Sequence, residues 1–246
     1  MQNGHLKALL RTALLFALLA TGCREAKPAP DAKVGNPALR ADLLSMLAPD
    51  RSIRLQIMTQ MEKTGAKLTI PMLWLALRMT LIDRSNTARL RGIVDKYGWP
   101  DESLVGQDGA SAAFLLVQHA DRNPAFQKQC LPLLQAAAER GEASKSDMAM
   151  LTDRVLVAEH QKQLYGTQCK MKDSVVLVDP IEDSVNVDQR RAGVGLCPLS
   201  TYVQVVTYSF RHADALDKPG TPVYDSLDRL VRPFGPDGDS APSSKK

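Results

Sequence analysis

The chain has no H-E-x-x-H metal motif, no glycine-rich phosphate loop and no G-x-S-x-G nucleophile elbow. Zincin-type proteolysis, P-loop phosphoryl transfer and the α/β-hydrolase elbow are excluded as signatures, so any chemistry must come from residues scattered along the sequence. It also lacks a basic run. The formal net charge is +4, and two of those charges, Lys7 and Arg11, sit in a leading segment expected to be removed. What remains is too small and too dispersed for a nucleic-acid-binding stripe. Cysteines number four, at spacings that fit no zinc pattern. No internal repeat is visible. The apolar stretch Thr12 to Ala20 is too short to cross a bilayer as a helix.

What is present begins with that stretch. Lys7 and Arg11 ahead of it give the layout of a secretory signal. Ala20-Thr21-Gly22-Cys23 follows and resembles the lipobox of bacterial lipoproteins. The resemblance implies cleavage before Cys23, acylation of its thiol and, with Arg24 next, delivery to the outer membrane. Residues 1–22 are then the signal peptide and 23–36 a tether, with the domain on the periplasmic side and the membrane as its partner. In that oxidising compartment Cys130, Cys169 and Cys197 remain. Cys130 lies in an apolar helical stretch and reads as a small buried group. Cys169 and Cys197 either form a bridge or stay free with it.

The 246-residue chain, 44 % apolar, is long enough to bury a sizeable core. Asn36-Pro37 reads as an N-cap followed by proline at the first helical position. It opens a helix that a second short one, from about Asp50 to Lys63, follows. Thr69-Ile70-Pro71 starts a third, and Arg84 to Tyr97 a fourth, stopped at Gly98-Trp99-Pro100. The helix from Ala110 to Asp121 is apolar nearly all round, the mark of a buried central element. Asn123-Pro124 opens the next, which Pro132 is expected to kink or split. Ser144 or Ser146 caps another. The period then changes: Gln163 to Lys170 and Val175 to Val178 suggest two short strands, one hairpin. Helices resume at Val187 to Gly193 and after Pro198. From about residue 211 the composition turns to Asp, Pro, Gly and Ser, a tail unable to bury enough apolar surface to order. The expected fold is mainly α with a small β-hairpin, a multi-helix single domain over residues 37–210.

Polar side chains on these apolar elements are the candidates for function. On the helical wheel His119 and Asp121 point apart, so they do not form a dyad. Asp121 is expected to accept backbone N–H groups at the turn before Pro124. Asp153 and Arg154 fall among apolar neighbours, and charges in such settings need partners. Either they form internal salt bridges, or Asp153 orients His119 as a general base while Arg154 anchors an anion. Tyr165 and Gln168 flank a glycine in Tyr165-Gly166-Thr167-Gln168, suited to a ligand contact or to an ordinary turn. Of Arg190 and Arg191 only one can face inward.

Together Gly98-Trp99-Pro100, Gln118-His119-Ala120-Asp121, Leu151-Thr152-Asp153-Arg154-Val155, Tyr165-Gly166-Thr167-Gln168 and Val187-Asp188-Gln189-Arg190-Arg191 resemble the blocks of a bacterial family known only as a domain of unknown function. The resemblance spans about residues 93–202 and implies a shared fold and polar cluster without an established activity. Glu159-His160-Gln161 departs from it, standing where a glycine-bearing turn is expected.

The leading expectation is a lipid-anchored envelope domain in which Gln118, His119, Asp153, Arg154, Tyr165, Gln168 and Arg190 line one wet cavity. That cavity would take a small anionic or amide-bearing ligand, without cofactor or metal. Two alternatives stand beside it. One is a hydrolase in which His119 is the base, Arg154 or Arg190 stabilises developing charge and Gln168 places substrate or water. The other is a non-catalytic envelope interaction protein whose polar groups hold helices together.

Overall fold

The computed structural model describes residues 34–64, 69–172 and 175–211. The expected signal segment, Cys23, most of the expected tether and the expected tail lie outside them. Seven helices and one hairpin follow in order: α1 (Pro37–Thr64), α2 (Ile70–Tyr97), α3 (Glu102–Gln118), α4 (Pro124–Glu139), α5 (Lys145–Ala158), β1 (Cys169–Lys172), β2 (Val175–Val178), a 3₁₀ turn (Ser184–Asn186), α6 (Val187–Gly193) and α7 (Leu199–Arg211). The fold is mainly α with a small antiparallel hairpin, in which Cys169 pairs with Val178 and Lys172 with Val175.

α3 is the central element. From Ala112 to Val117 every side chain is buried, and α1, α2, α4 and α5 pack around it. The helix begins earlier than its apolar run, because Asp101 caps Leu104 N–H, and it bends at Gly106, where φ is +72°. That value is accessible to glycine at little cost. A second, smaller cluster joins Cys169, Val176 and Cys197 to Tyr202, Val205 and Val206 of α7. Cys130, Cys169 and Cys197 are all buried thiols, with no bridge between Cys169 and Cys197.

Four boundaries differ from expectation, the first three because packing overrode a local signal. α1 runs unbroken through Pro49. The proline is exposed, while Leu43, Met46, Leu47, Asp50, Ile53, Arg54 and Ile57 are buried along one face on either side of it. The hydrogen bond it cannot make therefore falls toward water, where the helix tolerates it. Pro132 sits likewise on the exposed side of a continuous α4. The third and fourth expected helices are one, α2, because Asp83 and Asn86 find tertiary partners: Asp83 meets Arg54, and the Asn86 amide donates to Met46 O at 3.3 Å. The first strand, expected from Gln163 to Lys170, runs instead from Cys169 to Lys172, and residues 163–168 make a buried loop joined to Ile181 by one bridge. Ser144, rather than Ser146, caps α5, accepting from Asp147 N–H.

The turn after α5 shows what the missing glycine does. His160 takes φ +59°, the left-handed region. There an L-residue costs about 1–2 kcal/mol. Gly166 is also left-handed, and a Cβ there would come within 2.8 Å of Ile181 Cδ1 and 2.9 Å of Leu199 Cδ1. Urea unfolding should therefore separate the two turns. His160→Gly is expected to stabilise by up to about 1 kcal/mol, and Gly166→Ala to destabilise by about 2–4 kcal/mol.

Candidate functional site

Asp50 and Arg54 stand one turn apart on the buried face of α1, and neither has measurable exposure. Arg54 Nη2 lies 3.2 Å from Asp50 Oδ1 and 2.7 Å from Asp83 Oδ1 of α2. A buried guanidinium is sustained only by such partners. Asp50 Oδ2 is also 2.6 Å from Nδ1 of His119, the residue that ends α3. Three elements thus meet in one buried chain: Asp83, Arg54, Asp50, His119.

The proton positions follow from the charges. Burial opposes ionisation of Asp50, yet His119 and Arg54 outweigh it and hold the carboxyl below the usual carboxylate range. An ionised Asp50 at 2.6 Å requires a proton on His119 Nδ1. Arg54 Nε, 3.1 Å from the same nitrogen, therefore directs its proton to Asp50 instead, at 3.3 and 3.4 Å. Burial, seconded by Arg54, pushes the His119 pKa down despite Asp50. The imidazole is then neutral around pH ~7 with its lone pair on Nε2. That nitrogen is shielded from water and has no hydrogen-bond partner among the described residues.

His119 lines a pocket of about 660 Å³ with Asp83, Arg84, Thr87, Ala88 and Arg91 of α2 and with Ala120, Arg122 and Asn123 of the α3–α4 turn. Arg84, Arg91 and Arg122 are exposed at its rim, Arg91 stacked 5.3 Å from the Phe126 ring centroid. Burial pushes Asp83 up to about 7 against the pull of Arg54, with Asp50 and Asp121 adding to the rise. The pocket therefore holds an unprotonated imidazole nitrogen and a carboxyl that changes charge near neutrality, under a cationic rim.

The residues expected from sequence fall into two places. Only His119 lines the pocket. Gln118 is fully buried beside it, and both of its amide atoms lack a hydrogen-bond partner among the described residues. Arg154 pairs with Asp121, which is the role Asp121 takes in place of accepting turn amides; the side chain that caps the turn is Asn123. The carboxylate that orients His119 is Asp50, not Asp153. Asp153, with no exposure, is spent on the 163–168 loop. It accepts from the backbone N–H of Leu164 (2.8 Å), Tyr165 (3.0 Å) and Thr167 (2.9 Å) and from the Thr167 hydroxyl (2.8 Å).

The loop's other contacts are of the same kind. Arg190 Nε donates to Leu164 O, and its terminal nitrogens reach Asp183. Arg191 donates to Tyr165 O and Cys197 O, both at 2.6 Å, and lies 4.9 Å from the Tyr202 ring centroid. The Gln168 amide nitrogen bonds Thr167 Oγ1 at 3.1 Å. The Tyr165 main chain is held from both sides while its ring is half-buried. Asp153, Tyr165, Gln168 and Arg190 thus build a braced loop, apart from the pocket.

Asp50, Arg54, Asp83 and the three rim arginines were missed by sequence reasoning. The first two left a legible signal, since Asp50 and Arg54 share the i, i+4 line of Leu43, Met46, Ile57 and Met61 once Pro49 is read through. Among the described residues no group of three or more His, Cys, Asp or Glu side chains is arranged to hold a metal ion.

Breaking one member of the buried chain should be costly in a specific way. Asp50→Ala strands Arg54 and His119, and urea unfolding should show a loss of about 3–5 kcal/mol. Pairing it with Arg54→Met should restore much of that loss, since both charges then leave together. A single-variant loss below about 1 kcal/mol would mean that the network carries no weight in folding.

Comparison with known proteins found no match among curated proteins and none among solved structures. A family of unknown function (DUF6624) matches residues 37–212, so α1 and α2, and with them Asp50, Arg54 and Asp83, fall inside the shared region rather than ahead of residue 93. The chain belongs to that family, DUF6624.

Proposed function

We propose that the pocket beside His119 binds a small anionic ligand, in a domain held at the bacterial envelope, on the periplasmic face of the outer membrane, by a lipid on Cys23. The observation that carries this reading is His119 Nε2: a buried nitrogen with no protein partner, in a residue that lines an arginine-rimmed cavity. Buried polar atoms without partners are uncommon, and each calls for a water, an ion or a ligand. Arg84, Arg91 and Arg122 supply the countercharge, and guanidinium groups suit carboxylate and phosphate oxygens.

The same geometry favours a hydrolytic version. Asp50 fixes the imidazole tautomer and stabilises the imidazolium formed when Nε2 takes a proton, the part a carboxylate plays behind a general base. In that version a water admitted to Nε2 when the ligand enters gives up its proton there and attacks the bound ligand. The rim arginines hold the charge that develops, and Asp83, pushed up to about 7, returns a proton to the leaving group. Arg154, Arg190 and Gln168 have no part in it, being occupied elsewhere.

The sign of the pH dependence follows from Asp83. Above its pKa of about 7 the carboxylate repels an anion, and below it the neutral carboxyl does not. Calorimetric titration with sulfate, whose charge does not change over this range, should show affinity rising several-fold as pH falls from about 8 to about 6, and Asp83→Asn should abolish that dependence. Arg84→Gln or Arg122→Gln should weaken binding roughly tenfold or more, the worth of ~1.5–3 kcal/mol typical of hydrogen bonds to charged groups. Wild-type protein that binds neither sulfate nor acetate, while His119→Ala lowers the melting temperature, would reduce the network to a packing device.

A further inference from the structure

The first half of α2 carries an apolar ridge that nothing among the described residues covers. Ile70, Leu73, Trp74, Leu77 and Leu81 are all exposed, Trp74 to 67 %. At 3.6 residues per turn they fall on one line, opposite the buried line of Met72, Met79, Asn86 and Leu90. Monomeric soluble proteins rarely leave so continuous an apolar strip in water. The line does not stop at Leu81. Arg84, Ala88 and Arg91 continue it at the same helical spacing, and all three line the pocket. Arg78, exposed, flanks it. Asp95 is the one acid along it, a turn beyond Arg91.

An apolar strip that holds an exposed tryptophan and ends in cations has the composition of a helix lying in a membrane interface. Aliphatic groups enter the acyl boundary, the indole sits at head-group depth and arginines meet phosphates. A second copy of the same ridge would bring no countercharge to Arg84 and Arg91, whereas an anionic surface brings it. No helix among the described residues is long and apolar enough to cross a membrane, so contact of this kind is lateral.

We propose that the bare face of α2 from Ile70 to Leu81 docks in the interfacial layer of an anionic lipid bilayer, with Arg84 and Arg91 on its head-group phosphates. The mouth of the pocket then opens at head-group level, within reach of whatever anions that surface concentrates. The dock stands independently of any role for His119.

The test is fluorescence of the full-length chain with vesicles of phosphatidylcholine and phosphatidylglycerol carrying brominated acyl chains. The chain has two tryptophans, and Trp99 is buried, so Trp74 alone reports the surface. Emission is expected to shift to shorter wavelength and to lose a large fraction of its intensity, a loss absent in Trp74→Tyr. Arg84→Gln and Arg91→Gln should each lower vesicle affinity roughly fivefold, and added salt should act in the same direction. Two results overturn the proposal. In one, Trp74 keeps a water-like, unquenched emission while the chain sediments with vesicles through its N-terminal segment. In the other, the emission is already blue-shifted before lipid is added, which assigns the face to residues 212–246 or to a second copy. His119→Ala must leave the quenching intact, so failure of the pocket reading and failure of the dock are read separately.

Discussion

The Arg54 guanidinium has no contact with water, and much of the arrangement around it follows from that constraint. A buried cation requires anionic partners at hydrogen-bond distance, and these come from its own helix and from α2. Asp50 serves both Arg54 and His119, which ties the end of α3 to α1. Asp121, across the α3–α4 turn, pairs with Arg154 of α5 and adds negative potential to the same region. One unsolvated charge thus fixes how three helices meet, through directional contacts that apolar packing alone does not supply. The same electrostatics keeps His119 neutral and leaves Asp83 balanced between its two charge states.

The loop at 163–168 solves a separate problem by a similar route. It is buried without being a strand, so its amides and carbonyls need partners that a sheet would otherwise provide. Asp153 collects the N–H groups, while Arg190, Arg191 and the Tyr202 hydroxyl collect carbonyl oxygens. Charged side chains replace a missing neighbouring strand. That explains why this half of the molecule is rich in polar residues that face no cavity.

Much of the fold could be read from sequence where a local signal and the packing agreed. The all-round apolar character of α3, the Asn36-Pro37 and Asn123-Pro124 starts and the hairpin strand at Val175 to Val178 are of that kind. The proline breaks were misread because a proline on the solvent side costs a helix little, and side cannot be judged until the buried face is known. Of the site, only His119 was picked out, although Asp50 and Arg54 lay on a readable buried line. Polar residues at apolar positions mark burial, but burial serves a backbone as readily as a ligand, and Asp153 and Arg190 went to the backbone. Asp83 left no signal: it stands in Asp83-Arg84-Ser85-Asn86, which resembles a turn between helices, and its partner is far off in sequence.

The three thiols bear on the proposal that the domain sits in an oxidising compartment. Burial pushes Cys130 and Cys169 up to about 12, so the reactive thiolate is almost absent from the folded state. Cys197 is equally hidden, packed in one cluster with Cys169. Chemical inertness here is a property of the packing rather than of a crosslink. Oxidants and alkylating reagents meet these sulfurs only when the helices part, so the rate of labelling measures how often the domain opens.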